Sequence, residues 1–469
     1  MRTPTFTATS IALALGLAAT GLASCSSSSS SAPATTAATT SCSPAALSSA
    51  TGPIQLNFWE SMPRANGDAL QALTDKYNAS QSKVHVNLVV QTSYQDTFTK
   101  VTSGLSTGQL PDIAMLTDTD TQAAIDTQAF MPVQSCINSF NYPTGDFLAR
   151  ALAYWQVQGT QWAMPFGVSG PVLFYNKLAF QKAGLDPNAP PATLPALVAA
   201  ANTLKIKGQG GLGLVLDPWH LETWLATDNQ LFANTQNGRA GRATKVVFKS
   251  AAGLAVFQNL SDLVRNGSTT TNSIQGAGRY DNLLGVGSGK YAMTIDTSAA
   301  LGTVEQVLGT GAYPNVDLGV APFPKLAANS TGGVEPGGNG LWISKKSSAA
   351  QRAAAWSYIA FLDSTASQAT WATATGYVPL RKTSAASPSV QALWTKDPRW
   401  KVAYTQLTVG VQTAATAGAV VGPFNDVHQA IADAEASMFV SNVAPAVALN
   451  SAATKADQVI ADYNSRLGF

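Results

Sequence analysis

The segment that decides the fold is residues 54–116, which contains IQLNF (54–58), VHVNLVV (84–90) and PDIAML (111–116). The first two runs alternate apolar and polar residues and the third is almost continuously apolar, which are the patterns of strands. Apolar residues between these runs recur at helical spacing, at Leu70, Leu73 and Tyr77 and then at Phe98, Val101 and Leu105. The order strand–helix–strand–helix–strand predicts an α/β fold with a parallel sheet covered by helices.

Later segments show the same strand and helix patterns. They predict further strands at 172–175, 213–216 and 291–295 and helices at 194–204, 354–362 and 427–438. About 400 residues follow the first 52, more than one hydrophobic core usually holds, so two lobes are expected.

The N-terminus has the features of an exported protein. A short basic start precedes the apolar run 11–22, which has the length of a signal-peptide core and is too short to span a bilayer. Small residues then lead to Cys25, a pattern that resembles a bacterial lipobox. We therefore predict that residues 1–24 are a lipoprotein signal peptide and that Cys25 carries a lipid; the alternative is an ordinary signal peptide with an incidental cysteine.

The segment after Cys25 is almost entirely Ser, Ala, Thr and Pro. Such a composition buries too little apolar surface to offset its ordering entropy, so 25–52 is predicted to be a lipidated, disordered tether. Two further cysteines, Cys42 and Cys136, could form a disulfide in an oxidising compartment or remain unpaired, and the sequence leaves both possibilities open.

Composition and motifs exclude several classes of function. The net charge is +2 without a basic stripe, so nucleic acid is not an expected partner. Two glycine-rich stretches, 208–213 and 285–290, lack the context of a dinucleotide or phosphate loop, because the first precedes a strand and the second is one residue short. The three histidines are far apart, His85 is expected to be structural, and no metal or cofactor motif is found. Carboxylate-pair enzymes stay possible, because such pairs meet only in the fold.

The aromatic content of the sequence suggests that the protein binds a sugar or polyol. Ten tryptophans and twelve tyrosines, many beside small polar residues, could stack on the C–H faces of sugars, while carboxylates and amides take hydroxyl groups. A given tryptophan is more often a core residue than a ligand contact.

The run GPVLFYNK (170–177), followed by AGLDP (183–187), resembles the extracellular solute-binding proteins of ABC importers. The subgroup it resembles most comprises the glycerol-3-phosphate and glycerophosphodiester binders, together with the maltose-binding type. Matching pieces at FWESM (58–62), GGNGLW (337–342) and TGYVP (375–379) follow in the family's order. The resemblance implies a two-lobe periplasmic-binding-protein fold of type II, with lobes at 53–164 plus 328–365 and at 165–327 plus 366–469.

The resemblance also implies which residues face a ligand in the cleft between the lobes. They are Tyr94, Asp118, Ser169, Trp219, Thr297, Ser298, Gly337, Gly338 and Tyr377. Asp118 could instead be a helix cap. One departure concerns Val420, which aligns with an arginine that binds phosphate in the subgroup. Because Val420 cannot neutralise a phosphate, an uncharged sugar or polyol is expected.

The predicted function is therefore the substrate-binding lipoprotein of an ABC importer, a monomer that is not an enzyme. It would be anchored by lipid to the outer face of the cell membrane and would deliver a sugar, polyol or glycerol derivative to permease subunits. A cell-surface enzyme acting on glycans and a ligand sensor docking to a membrane kinase are the alternatives.

Overall fold

The computed structural model describes residues 42–272 and 281–469. The predicted signal peptide 1–24 and Cys25 lie outside the described residues. None of the helices within the described ranges is long and apolar enough to cross a membrane.

The strands fall into two main sheets and a small hairpin. In chain order they are β1 (Ile54–Glu60), β2 (Val84–Val90), β3 (Ile113–Thr117), β4 (Phe130–Met131), β5 (Gln156–Val157), β6 (Thr160–Gln161), β7 (Met164–Ser169), β8 (Pro171–Asn176), β9 (Leu212–Val215), β10 (Thr269–Asn272), β11 (Met293–Thr297), β12 (Leu318–Pro322) and β13 (Gly337–Ser344). The first sheet has the order β2-β1-β3-β13-β4 with β7 beside β13, and the second has the order β10-β9-β11-β8-β12.

The helices surround these sheets. They are α1 (Pro44–Ser48), α2 (Arg64–Ser80), α3 (Tyr94–Thr107), α4 (Thr121–Asp126), α5 (Gln134–Ser139), α6 (Ala149–Tyr154), α7 (Lys177–Ala183), α8 (Leu194–Ile206), α9 (Pro218–Thr227), α10 (Asn234–Asn237), α11 (Ala251–Arg265), α12 (Asp281–Gly287), α13 (Leu301–Gly309), α14 (Ala349–Leu362), α15 (Thr365–Thr375), α16 (Lys382–Ala385), α17 (Pro388–Lys396), α18 (Val402–Val409), α19 (Phe424–Ser441) and α20 (Pro445–Arg466).

The predicted strand and helix segments are confirmed, but neither sheet is purely parallel. In the first sheet β1 runs parallel to β2 and β3, as expected, whereas β13 runs antiparallel to β3, β4 and β7. In the second sheet β8 is antiparallel to both β11 and β12. The reason is that β8 and β13 enter their sheets by crossing directly from the other sheet, without the helical return that a parallel strand needs.

Each sheet is the core of one lobe, and the crossings define the boundaries. The chain leaves the first sheet at the end of β7 and enters the second with β8 after a single residue, Gly170. The first crossing therefore follows residue 169, whereas the sequence placed it after 164. Helix α15 packs against α2 beside the first sheet, so this helix lies with the first lobe although the predicted boundary assigned it to the second.

A disulfide joins Cys42 to Cys136, which decides the question that the sequence left open. Both cysteines are buried, and α1, which follows Cys42, packs against α14. The predicted tether was drawn to residue 52, but its last part, from Cys42 onward, belongs to the folded lobe. Composition misled here because a covalent bond and a helix contact, rather than local hydrophobicity, hold this segment.

The two dismissed glycine patterns have a packing role in the structure. Gly213 lies in β9 and Gly285 in α12, and a side-chain carbon at either position would meet the Tyr291 ring at 2.2 Å or 2.1 Å. These glycines therefore make room for a buried tyrosine. The second stretch was predicted to be a turn before a strand; its first residues instead end α12, and the strand begins at Met293.

Candidate ligand-binding site

A cleft with a volume of about 930 Å³ opens between the two lobes. This is within the size range of sites for small molecules. Eight of the nine residues expected to face a ligand line it: Tyr94, Asp118, Ser169, Trp219, Thr297, Gly337, Gly338 and Tyr377. Positions up to 283 residues apart in sequence thus converge on one cavity.

Ser298 is the exception, and it does not line the cleft. It is buried, its N–H donates to the carbonyl of Gly170 at 2.9 Å, and its hydroxyl accepts from the Gly170 N–H at 3.4 Å. Ser298 therefore ties the second lobe to the crossing residue between β7 and β8, which is a structural role.

Tyr94 and Tyr377, two of the three tyrosines that line the cleft among the described residues, are held by side chains that the sequence analysis did not single out. Ser93 caps α3 by accepting from the Asp96 N–H at 3.0 Å, which sets Tyr94 at the first helical position. Asn339 on β13 donates to the Tyr94 hydroxyl at 3.2 Å and accepts from the Gly167 N–H at 3.2 Å. Tyr377 stacks on Trp371, with ring centroids 5.3 Å apart. An asparagine beside the apolar residues of GGNGLW (337–342) is the sequence signal that could have pointed to Asn339.

Asp118 and Asp120 lie in a short 3-10 helix that directly follows β3. Asp118 accepts from the Thr119 N–H at 3.0 Å, so a local turn contact does exist, and it also lines the cleft. Burial raises the pKa of Asp118 to about 7, although the charge-favouring effects of the Thr119 N–H and His428 oppose this rise. Burial likewise raises the pKa of Asp120 to about 6, and Asn425 of the second lobe donates to this carboxylate at 3.1 Å.

The second lobe contributes the start of α9. Asp217 caps this helix by accepting from the Trp219 N–H at 3.1 Å, which fixes Trp219 on the first turn. The indole lies against Gly337, where a side-chain carbon would come within 2.6 Å of Cζ2. The neighbouring Gly338 has φ +136°, a conformation that side chains disfavour. Gly337 therefore allows the second-lobe aromatic ring to approach the first-lobe backbone, whereas Gly338 makes room for the Gly167 carbonyl of the neighbouring strand β7.

Two histidines that are distant in sequence both reach this cleft. His428 of α19 lies 2.5 Å from Glu222 of α9, between Nε2 and Oε1. Burial raises the pKa of Glu222 and lowers that of His428, so burial opposes charge on both partners. His220 also lines the cleft, and burial lowers its pKa as well. His85, by contrast, is exposed on the edge strand β2 and does not reach the site. Sequence reasoning missed Glu222 and both cleft histidines because no local motif joins α9 to α19.

Val420, aligned with the phosphate-binding arginine, is 2% exposed and does not line the cleft. Its N–H donates to the Asn237 carbonyl at 2.8 Å, behind the wall of the site. The expectation that this side chain stands at a ligand contact is therefore wrong. Arg381, the nearest basic residue in sequence to Tyr377, donates to the Asp363 carbonyl at 2.5 Å and the Tyr142 hydroxyl at 2.6 Å and does not face the cleft either.

Two α/β lobes joined by crossing strands around a polar, aromatic cleft define a solute-binding protein. Residues 72–401 match the family model described as bacterial extracellular solute-binding protein, and the chain belongs to this family.

Among curated relatives, the sn-glycerol-3-phosphate-binding periplasmic protein UgpB of Rhizobium meliloti is 26% identical over 355 residues, covering 73% of this chain and 79% of that protein. The UgpB of Yersinia pestis is 24% identical over 415 residues, covering 87% and 92%.

Among solved structures, UgpB from Mycobacterium tuberculosis in complex with glycerophosphocholine superimposes with a TM-score of 0.74 at 21% identity, covering 89% of this chain and 100% of that one. The GacH receptor of Streptomyces glaucescens, solved unliganded and with acarbose, gives 0.72 at 21% identity, covering 88% and 99%. These structural similarities confirm the two-lobe fold.

Proposed function

We propose that the protein is the substrate-binding lipoprotein of an ABC importer, capturing a sugar, polyol or glycerol derivative between its lobes and delivering it to a permease. The observation that carries this proposal is the inter-lobe cleft, to which both lobes contribute polar side chains and aromatic rings. A ligand that contacts both walls stabilises the closed arrangement selectively, so that binding shifts the population of conformations. Family membership supports transport rather than catalysis.

The ligand is not phosphorylated in this proposal, although several relatives are named for glycerol-3-phosphate. No lysine or arginine is present among the described residues that line the cleft. A buried phosphate without a cationic partner would carry a desolvation cost of several kcal/mol. The lack of lysine and arginine along the described lining, rather than the side chain of Val420, disfavours a phosphate.

Calorimetry of the soluble fragment tests this proposal with a panel of neutral sugars and polyols and with glycerol-3-phosphate. We expect a sugar or polyol to bind at least about tenfold more tightly than glycerol-3-phosphate, a difference of about 1.4 kcal/mol. Trp219→Ala should weaken that binding, whereas Trp400→Ala, outside the cleft, should not. Micromolar binding of glycerol-3-phosphate with no binding of any sugar or polyol would contradict the proposal.

A further inference from the structure

We propose that the cleft selects a polyhydroxylated ligand that carries a positively charged amine. This inference rests on the proposed function and names the chemical class of its ligand.

Carboxylates from both lobes face the same cavity. The first lobe contributes Asp118 and Asp120, and the second contributes Asp217, Glu222 and Asp296. The repulsion between them is felt across the cleft, because the charges of Asp118 and Asp217 add to the burial that raises the pKa of Glu222. Closing the lobes around an uncharged ligand would bring these like charges closer together, whereas a cation between them would relieve the repulsion.

No lysine or arginine of the described residues lines this surface, and the cleft residue His428 is already paired with Glu222 at 2.5 Å. Arg239, a half-buried arginine behind the cleft, directs its guanidinium to backbone carbonyls, including that of Gly418 at 2.8 Å and that of Ala153 at 2.6 Å. Arg150 donates to the Val334 carbonyl at 3.0 Å and to the Val411 carbonyl. Turning either side chain into the cleft would break several of these hydrogen bonds, so both arginines have a structural role.

The cleft wall also has hydrogen-bond acceptors that lack a partner. Asn66 and His220 line the cavity and are 5% and 4% exposed, and Asn66 Oδ1 and His220 Nδ1 have no hydrogen-bond partner. In the neutral ring of His220, Nδ1 is an acceptor when the proton is on Nε2. Trp219 Nε1 is an unpartnered donor in the same wall, so a matching ligand offers an acceptor as well as donors, and an ammonium group supplies three donors.

Aromatic groups complete the match. Trp219 and the tyrosines Tyr94, Tyr154 and Tyr377 line the same cavity as the carboxylates. Aromatic faces attract cations and also stack on the C–H faces of sugars. An amine-bearing sugar or amino-polyol would use both properties, which neither a phosphate ester nor a purely apolar ligand would do.

Calorimetry near neutral pH with matched pairs tests this inference, comparing glucosamine with glucose, glucamine with sorbitol, and a β-1,4 glucosamine trimer with cellotriose. We expect the amine-bearing member of any pair that binds to bind at least about tenfold more tightly, with a preference that shrinks as salt rises. Equal or tighter binding of the neutral members would overturn the inference while leaving the transport function intact. No binding by sugars, polyols or amines would overturn both the inference and the proposed function.

Asp217→Asn sharpens the test, because asparagine keeps the helix cap at α9 and removes only the charge. In this variant we expect the ratio of affinities for the amine-bearing and the neutral ligand to fall at least about threefold. Asp186→Asn is the matched control, since Asp186 also accepts from a backbone N–H two residues on, that of Asn188 at 2.8 Å, but lies outside the cleft. An unchanged preference in Asp217→Asn would count against the inference.

Discussion

Arg242 of the second lobe and Asp126 of the first form a two-pronged ion pair, with Nη2–Oδ1 at 2.6 Å and Nη1–Oδ2 at 3.0 Å. The side chains are only 18% and 9% exposed, and the Tyr463 hydroxyl donates to the same carboxylate at 2.8 Å. None of the three lines the cleft, so this pair joins the lobes without touching a ligand.

We therefore expect Asp126→Asn to destabilise the observed arrangement of the lobes. Leaving Arg242 without its charged partner should cost about 1–3 kcal/mol, because the pair is mostly screened from water. X-ray scattering should show a larger radius of gyration for the ligand-free variant, and thermal unfolding should show a lower Tm. Asp433→Asn on the exposed face of α19, where the carboxylate accepts from Gln429, is the control. An unchanged radius and Tm in Asp126→Asn would show that the pair does not hold the lobes.

Asp118 should make stability depend on pH. Its pKa is raised from 3.8 to about 7, so the native protein holds this proton more tightly than the unfolded chain does. Unfolding then releases the proton, and this carboxyl lowers stability as the pH rises from about 4 to about 7. Tyr154, Glu222, Glu335, Asp120 and His428 interact electrostatically with it.

Asp118→Asn is accordingly expected to raise the ligand-free Tm near pH 8, with a gain that disappears toward pH 4. Urea unfolding at several pH values measures this difference directly. Asp75→Asn should show no such trend, because Asp75 is exposed and its carboxylate accepts from Gln71 on the same helix. A gain of equal size at every pH would mean that the effect of Asp118→Asn does not arise from ionisation.

The Cys42–Cys136 disulfide should stabilise the first lobe, because it links cysteines 94 residues apart and so restricts the unfolded chain. Replacing both cysteines by serine should reduce the free energy of unfolding by about 3–5 kcal/mol and should also free α1 from α14. Calorimetry with and without reductant tests this in the native chain. If reductant left the Tm of the wild type unchanged, the bond would not contribute to stability.

Cys25→Ser should release the protein from membranes or leave it unprocessed, because the predicted lipid is attached to this thiol. Detergent phase partitioning of cell fractions distinguishes the two forms. Membrane association that persists in the variant and still requires detergent for release would reject lipidation at Cys25.

The sequence alone determined the local elements and the family-specific positions. Alternation in 54–58 and 84–90 produced β1 and β2, and the spacing of Leu70, Leu73 and Tyr77 produced α2, because side-chain periodicity is a short-range property that each segment carries by itself. The resemblance to the solute-binding family predicted that Trp219 and Tyr377 lie at the cleft, because the order of the family's motifs can be read from the sequence.

Only the tertiary structure decided which distant residues meet. His428 reaches Glu222 across 206 positions, Asn339 supports Tyr94 across 245, and Val420 turns behind the wall of the cleft instead of into it. The choice of a Cys42–Cys136 bond and the mixed direction of the sheets belong to the same group. These contacts depend on how crossing strands bring two lobes together, and local hydrophobic patterns carry no information about such long-range pairings.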